Sequence, residues 1–96
     1  MKTEDILAML RIFKQTAAEK YDITRIGIFG SFARGEAVED SDVDIVFETN
    51  SPNLFRTARM KAELTSLFCR PVDVVRFRAN MNPHLKSRIV REAKYV

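Results

Sequence analysis

Ile26-Gly27-Ile28-Phe29-Gly30-Ser31-Phe32-Ala33-Arg34-Gly35 and, after a polar loop, Ser41-Asp42-Val43-Asp44-Ile45-Val46-Phe47 are the stretches that decide how this chain is read. The first is an apolar run that stops at a glycine-serine pair. The second is also apolar but carries two aspartates near its start. Ten residues, Phe32 to Ser41, separate Ser31 from Asp42. Strand residues two apart point to the same face. Asp42 and Asp44 therefore project together, while Val43 and Ile45 turn the other way into a core. Adjacent unpaired carboxylates repel, and ionising both is costly without a cation between them. A divalent ion relieves that cost, and hard oxygen donors suit magnesium. At the first turn, a glycine lets a phosphate approach backbone amides closely. A phosphate seat at a fixed distance from a metal seat suggests phosphoryl or nucleotidyl transfer.

Working outward, 96 residues predict a single domain, 1–96, with enough chain for one core. A hydrophobic content of 46% argues against disorder. The net charge of +3 fits an anionic substrate such as ATP without calling for nucleic acid, so direct nucleic-acid binding is not expected. No apolar run is long enough to cross a membrane, and Met1-Lys2-Thr3-Glu4-Asp5 lacks the apolar stretch of a signal peptide. Cys69 is the only cysteine, which rules out an internal disulfide and suits the cytoplasm. Its position after Leu67-Phe68 predicts a buried spectator. One histidine and one cysteine cannot make a zinc site.

Thr3 is read as the cap of a helix with Glu4 and Asp5 in its first turn and Ile6, Leu10, Phe13 and Ala17 at helical spacing, running to about Lys20. Thr24 to Phe29 reads as a strand, and Ser31 to Arg34 as a short helical turn with its amide end toward the phosphates. Gly35 to Ser41 is an acidic loop, and Val43 to Glu48 a second strand. Ser51-Pro52 reads as a helix start, with Leu54, Ala58, Leu64 and Leu67 on a helix to about Phe68. Pro71 opens a third strand, Val72 to Phe77. Asn82-Pro83 repeats the cap-proline signal ahead of a helix bearing Leu85, Ile89 and Ala93. The expected fold is α/β, in the α+β sense: a small sheet with helices packed against it.

The composite of Gly30-Ser31, the ten-residue spacer and Asp42-Val43-Asp44 resembles the signature of the polymerase-beta-like nucleotidyltransferases. The longer string from Gly30 to Gly35 with Ser41-Asp42-Val43-Asp44-Ile45 is similar to the minimal nucleotidyltransferases, the MNT-type antitoxins. The resemblance spans nearly the whole chain. It implies a mixed β-sheet. It also implies a third acid on the next long strand, and Asp73, inside Val72-Asp73-Val74-Val75, fits that position.

Nucleotidyl transfer spreads negative charge over phosphoryl oxygens, so catalysis is mostly positioning and neutralisation. Two magnesium ions roughly 3.5–4 Å apart can hold the attacking and leaving oxygens. Asp42 and Asp44 are the expected metal ligands. Asp73 is the expected ligand on the acceptor side and a candidate general base; its other reading is a structural pair with Arg70 or Arg76. Gly30 and Ser31 are the expected nucleotide-binding turn. Arg34, one helical turn beyond Ser31, suits either a phosphate or an ion pair with Glu36. Gly35 permits the exit from the short helix, and Ser41 reads as a local cap. The spacer acids Glu36, Glu39 and Asp40 read as solvated loop, and His84 as a surface residue. The Arg88, Arg91 and Lys94 cluster reads as a solvated helix face, with docking to an acidic partner or RNA as its other use. A Walker-type phosphate loop fails here, because Glu36 stands where lysine is essential.

By resemblance, the expected activity is a magnesium-dependent antitoxin enzyme transferring AMP from ATP to a tyrosine of a cognate HEPN-type RNase toxin, with which it forms a hetero-oligomer. An anionic adduct near a nuclease site would repel RNA phosphates. Two alternatives stay open: an antitoxin that acts by occlusion alone, and a small-molecule nucleotidyltransferase subunit.

Overall fold

The apolar runs form three strands, and in the computed structural model, which describes residues 1–96, a fourth joins them. In chain order the elements are α1 (Thr3–Lys20), β1 (Ile23–Phe29), α2 (Gly30–Arg34), β2 (Val43–Thr49), α3 (Leu54–Phe68), β3 (Val72–Arg76), α4 (Pro83–Glu92) and β4 (Lys94–Tyr95). The sheet order is β3-β2-β1-β4. β1 pairs antiparallel with both β2 and β4, whereas β2 and β3 run parallel across the α3 crossover. The sheet is therefore mixed, as the resemblance implied. No helix is long and apolar enough to cross a membrane.

Strand alternation sorts the side chains into two layers. Ile26, Ile28, Val43, Ile45 and Val72 form one face with Ile6 and Leu10 of α1 and Met60, Leu64 and Phe68 of α3. Phe29 and Val46 form a smaller cluster on the other face with Ile89 of α4, flanked by Val75 and Leu85. The large layer anchors the strands. The small one leaves part of its face uncovered.

Several boundaries differ from the sequence reading, each for a local reason. Lys2, not Thr3, caps α1: its amide donates to the Asp5 carboxylate at 2.9 Å, while the Thr3 hydroxyl donates to the Phe32 carbonyl across the fold. Asn53 rather than Ser51 caps α3, because its side chain accepts from the Arg56 amide at 3.0 Å. The buried stripe of α3 is Met60, Leu64 and Phe68, leaving Leu54 exposed along with Ala58 and Leu67. Cys69 is exposed: it ends α3 in the left-handed conformation (φ 52°), which turns it away from the core. Asn82 and Pro83 start α4 as read, but the helix stops at Glu92, and Lys94 belongs to β4 rather than to a helix face. β4 lies against Gly27, where even a Cβ would meet the Lys94 carbonyl at 2.4 Å.

Candidate active site

β1 hands the chain to α2 through Gly30, whose φ of 75° lies in the left-handed region that favours glycine. A Cβ at that position would lie 2.1 Å from Asp44 Oδ2. Only a glycine gives both the turn and the room for that carboxylate. The Gly30 amide donates to Glu92 Oε1 at 3.1 Å. Ser31 follows at the start of α2, half-buried, and its hydroxyl has no hydrogen-bond partner in the chain. Gly35 ends α2, also left-handed, as the sequence implied.

The loop leading to the aspartates is tied at both ends. Ser41 Oγ accepts from the Val38 amide at 2.8 Å, the local role expected of it. The Ser41 carbonyl accepts from Arg70 Nη1 at 3.1 Å, and the Arg70 guanidinium stands 5.2 Å from the Phe32 ring centre. Arg70 thus joins α2 to the residue just before Asp42.

Asp44 and Asp73 are register partners in the parallel β2–β3 pair, so their side chains leave the sheet side by side on the α4 face. Asp44 also stands opposite Phe29, the residue before the glycine turn. Burial pushes the Asp44 carboxyl above the usual aspartate range. Repulsion from Asp73 and, less strongly, Asp42 adds to this, while Arg88 and Arg34 oppose it. Asp42 is exposed one residue before β2 begins. None of the ion pairs in the chain includes Asp42, Asp44 or Asp73, so the pairing of Asp73 with Arg70 or Arg76 is not formed. The three carboxylates do not close into a ready-made cage; unneutralised like charges have no reason to do so. As a donor set of hard oxygens lacking a protein cation, they fit magnesium.

Arg34 is held by two carboxylates, Nε to Glu36 Oε1 at 2.5 Å and Nη1 to Glu92 Oε1 at 3.0 Å. The ion pair with Glu36 is therefore formed, and Glu36 is not a free loop acid. Sequence reasoning missed Glu92 altogether and left Arg88 on a solvated face. In the structure Arg88 lines an open cleft of about 330 Å³ together with Asp44, Asp73, Phe29, Leu85 and Lys61. A second open cleft, of about 620 Å³, also borders Asp73 and is lined by Lys61, Thr65 and Arg70 among others. The four-residue spacing of Arg88 and Glu92 was the available signal, since such residues meet on one helix face.

The model of the nucleotidyltransferase domain family matches residues 10–96. The protein adenylyltransferase MntA of Thermococcus cleftensis is 34% identical over 94 residues, covering 97% of this chain and 94% of that protein. A solved structure assigned to the minimal nucleotidyltransferases superposes with a TM-score of 0.78 at 34% identity, covering 98% of this chain and 95% of the other. The MNT antitoxin solved in complex with a tri-AMPylated HEPN toxin of Shewanella oneidensis shares the fold, with a TM-score of 0.65 at 20% identity over 91% of this chain and 66% of that one.

Proposed function

The chain belongs to the nucleotidyltransferase domain family, and on that premise we propose that it is a magnesium-dependent protein adenylyltransferase. In this reading it is a cytoplasmic antitoxin that moves AMP from ATP to a tyrosine of a cognate HEPN-type toxin. The observation that carries the reading is the side-by-side placement of Asp44 and Asp73, free of any ion pair, beside a glycine whose Cα faces Asp44. The choice of a protein acceptor draws on the adenylyltransferase activity named for the Thermococcus relative and on the AMPylated toxin in the Shewanella complex.

Asp42, Asp44 and Asp73 would hold the magnesium ions, which supply neutralising charge for the phosphoryl oxygens. Ser31, with its hydroxyl free, would bind the triphosphate, and Gly30 leaves the space in which carboxylate and phosphate come close. The acceptor hydroxyl oxygen forms a bond to the α-phosphorus as the bond from that phosphorus to the bridging α–β oxygen breaks. Pyrophosphate departs, and Asp73 takes the hydroxyl proton. Asp73 is exposed and borders both clefts, so a side chain from a second protein can reach it.

The deciding experiment incubates the chain with ATP, magnesium and the protein encoded beside it, and weighs that partner by mass spectrometry. A gain of one or more AMP masses is expected, lost when Asp42→Asn and Asp44→Asn are combined. If the double variant still protects the partner without any adduct, neutralisation is by occlusion and the proposal fails.

A further inference from the structure

Resting on the reading of a triphosphate at the Gly30–Ser31 turn, we propose that Arg88 is a triphosphate ligand and that Glu92 is the residue that positions it. Two guanidiniums lie near the turn, and their surroundings differ. Arg34 is engaged by Glu36 and Glu92 through Nε and Nη1. Arg88 makes no hydrogen bond within the chain; its nearest carboxylate oxygen is Glu92 Oε1, at 3.9 Å. Its donors are free, and they border the cleft that holds Asp44 and Asp73. A planar guanidinium with unused donors beside a phosphate turn matches the geometry of phosphate oxygens, which it can meet two at a time.

Glu92 fixes where that guanidinium sits. Its side chain is only 13% exposed, and the one oxygen Oε1 accepts from the Gly30 amide and from Arg34 Nη1. These bonds pin the last turn of α4 to the glycine turn. Arg88, four residues earlier on the same helix, is thereby held with its guanidinium 5.8 Å from the ring centre of Phe29, the residue before Gly30. Glu92 also keeps the Gly30 amide and Arg34 occupied, leaving the side chains of Arg88 and Ser31 with free donors at this turn.

Calorimetry with a non-hydrolysable ATP analogue and magnesium tests this on the full chain. Arg88→Ala should weaken binding at least about tenfold, and Arg88→Lys, which keeps the charge but not the fork, should recover part of the loss. Glu92→Ala should weaken binding by a comparable factor. The double variant should fall short of the product of the two single effects, because Glu92 acts through Arg88. A merely structural Glu92 would lower the melting temperature and multiply with Arg88→Ala instead. Should Glu92→Ala not fold, Glu92→Asp, which keeps the charge but draws the carboxylate back from the Gly30 amide, takes its place in the cycle. Wild-type affinity in Arg88→Ala, independent effects in the double variant, or tighter binding by Glu92→Gln would each overturn the inference; the last would make the carboxylate a competitor of the phosphate. A wild-type chain that transfers AMP while Arg88→Ala binds normally sinks this inference alone, whereas a wild-type chain that binds no analogue sinks the functional reading beneath it.

Discussion

On the face of the sheet under α1 and α3, Ile26, Ile28, Val43, Ile45 and Val72 are buried against apolar helix residues, with no charged group among them. On the face under α4, the same strands present Asp44 and Asp73, and the covering helix brings Arg88 and Glu92. The alternation that buries Val43 and Ile45 is what lifts Asp44 out between them. One face supplies the rigidity and the other holds charges that the fold itself leaves unneutralised. A site built this way is precise because its carboxylates ride on strands that cannot shift without disturbing a close-packed layer.

The strongest way to sharpen this contrast is to remove a charge from the second face. Asp44→Asn should lower AMP transfer by about 10³-fold, as expected when a group that stabilises the charge of the transition state is lost. It should also raise the melting temperature at neutral pH without metal. The sign follows from the raised carboxyl: its protonated form favours the fold fully below the ordinary aspartate pKa of about 3.9, and that favour is lost as pH rises through the higher folded value. Asparagine removes the loss. Melts from acid to neutral pH should show the variant gaining on the wild type as pH rises, and a variant no more stable at pH 7 would contradict a strained, functional carboxylate.

A substitution on the first face should give the opposite pattern. Leu64→Ala should cost about 2–5 kcal/mol of stability, while the surviving folded protein binds nucleotide as before. Gly30→Ala, on the second face, forces an alanine into the left-handed region at about 1–2 kcal/mol and drives its Cβ into the Asp44 carboxylate. Denaturant titration together with nucleotide binding separates the two, since only Gly30→Ala should lose affinity in excess of its loss of stability. Asp73→Asn should divide the second face further: nucleotide still binds, and transfer falls roughly 10²-fold, the scale of general acid–base assistance. Unchanged transfer would leave Asp73 without a chemical role.

The first face was the more legible in the sequence, because burial leaves a period. Ile6, Leu10 and Ala17 recur at helical spacing and are buried as that spacing predicts. The α3 stripe was read correctly at Leu64 but wrongly at Leu54 and Leu67, which are as apolar as Met60 and Phe68 and differ from them only in packing. On the second face, the residues carrying a motif (Gly30, Ser31, Asp42, Asp44) could be found from spacing alone. For Arg88 and Glu92 the sequence offers only a four-residue spacing, which puts them on one helix face without saying that this face meets the turn, and Arg70 reaches the loop from another element distant in sequence. β4 escaped notice because two residues, Lys94 and Tyr95, hold no periodicity; Gly27, which admits them, looked like any strand glycine.

The smallest predicted effect tests the boundary between the two faces. Ser31 is the second residue of α2, whose Phe32 and Ala33 are buried in the large apolar layer while the Ser31 hydroxyl is unpaired. If the hydroxyl serves only the nucleotide, Ser31→Ala removes one hydrogen bond from the bound state and none from the free protein. Such a bond to a charged phosphate is worth roughly 1.5–3 kcal/mol at most, and nearer 1 kcal/mol if water replaces it. Affinity for a non-hydrolysable ATP analogue should then fall about fivefold or more, with the melting temperature unchanged, because alanine suits a helix at least as well as serine. Equal affinity in the variant would mean that the turn holds phosphate through its backbone alone, and the serine would join the scaffold rather than the site.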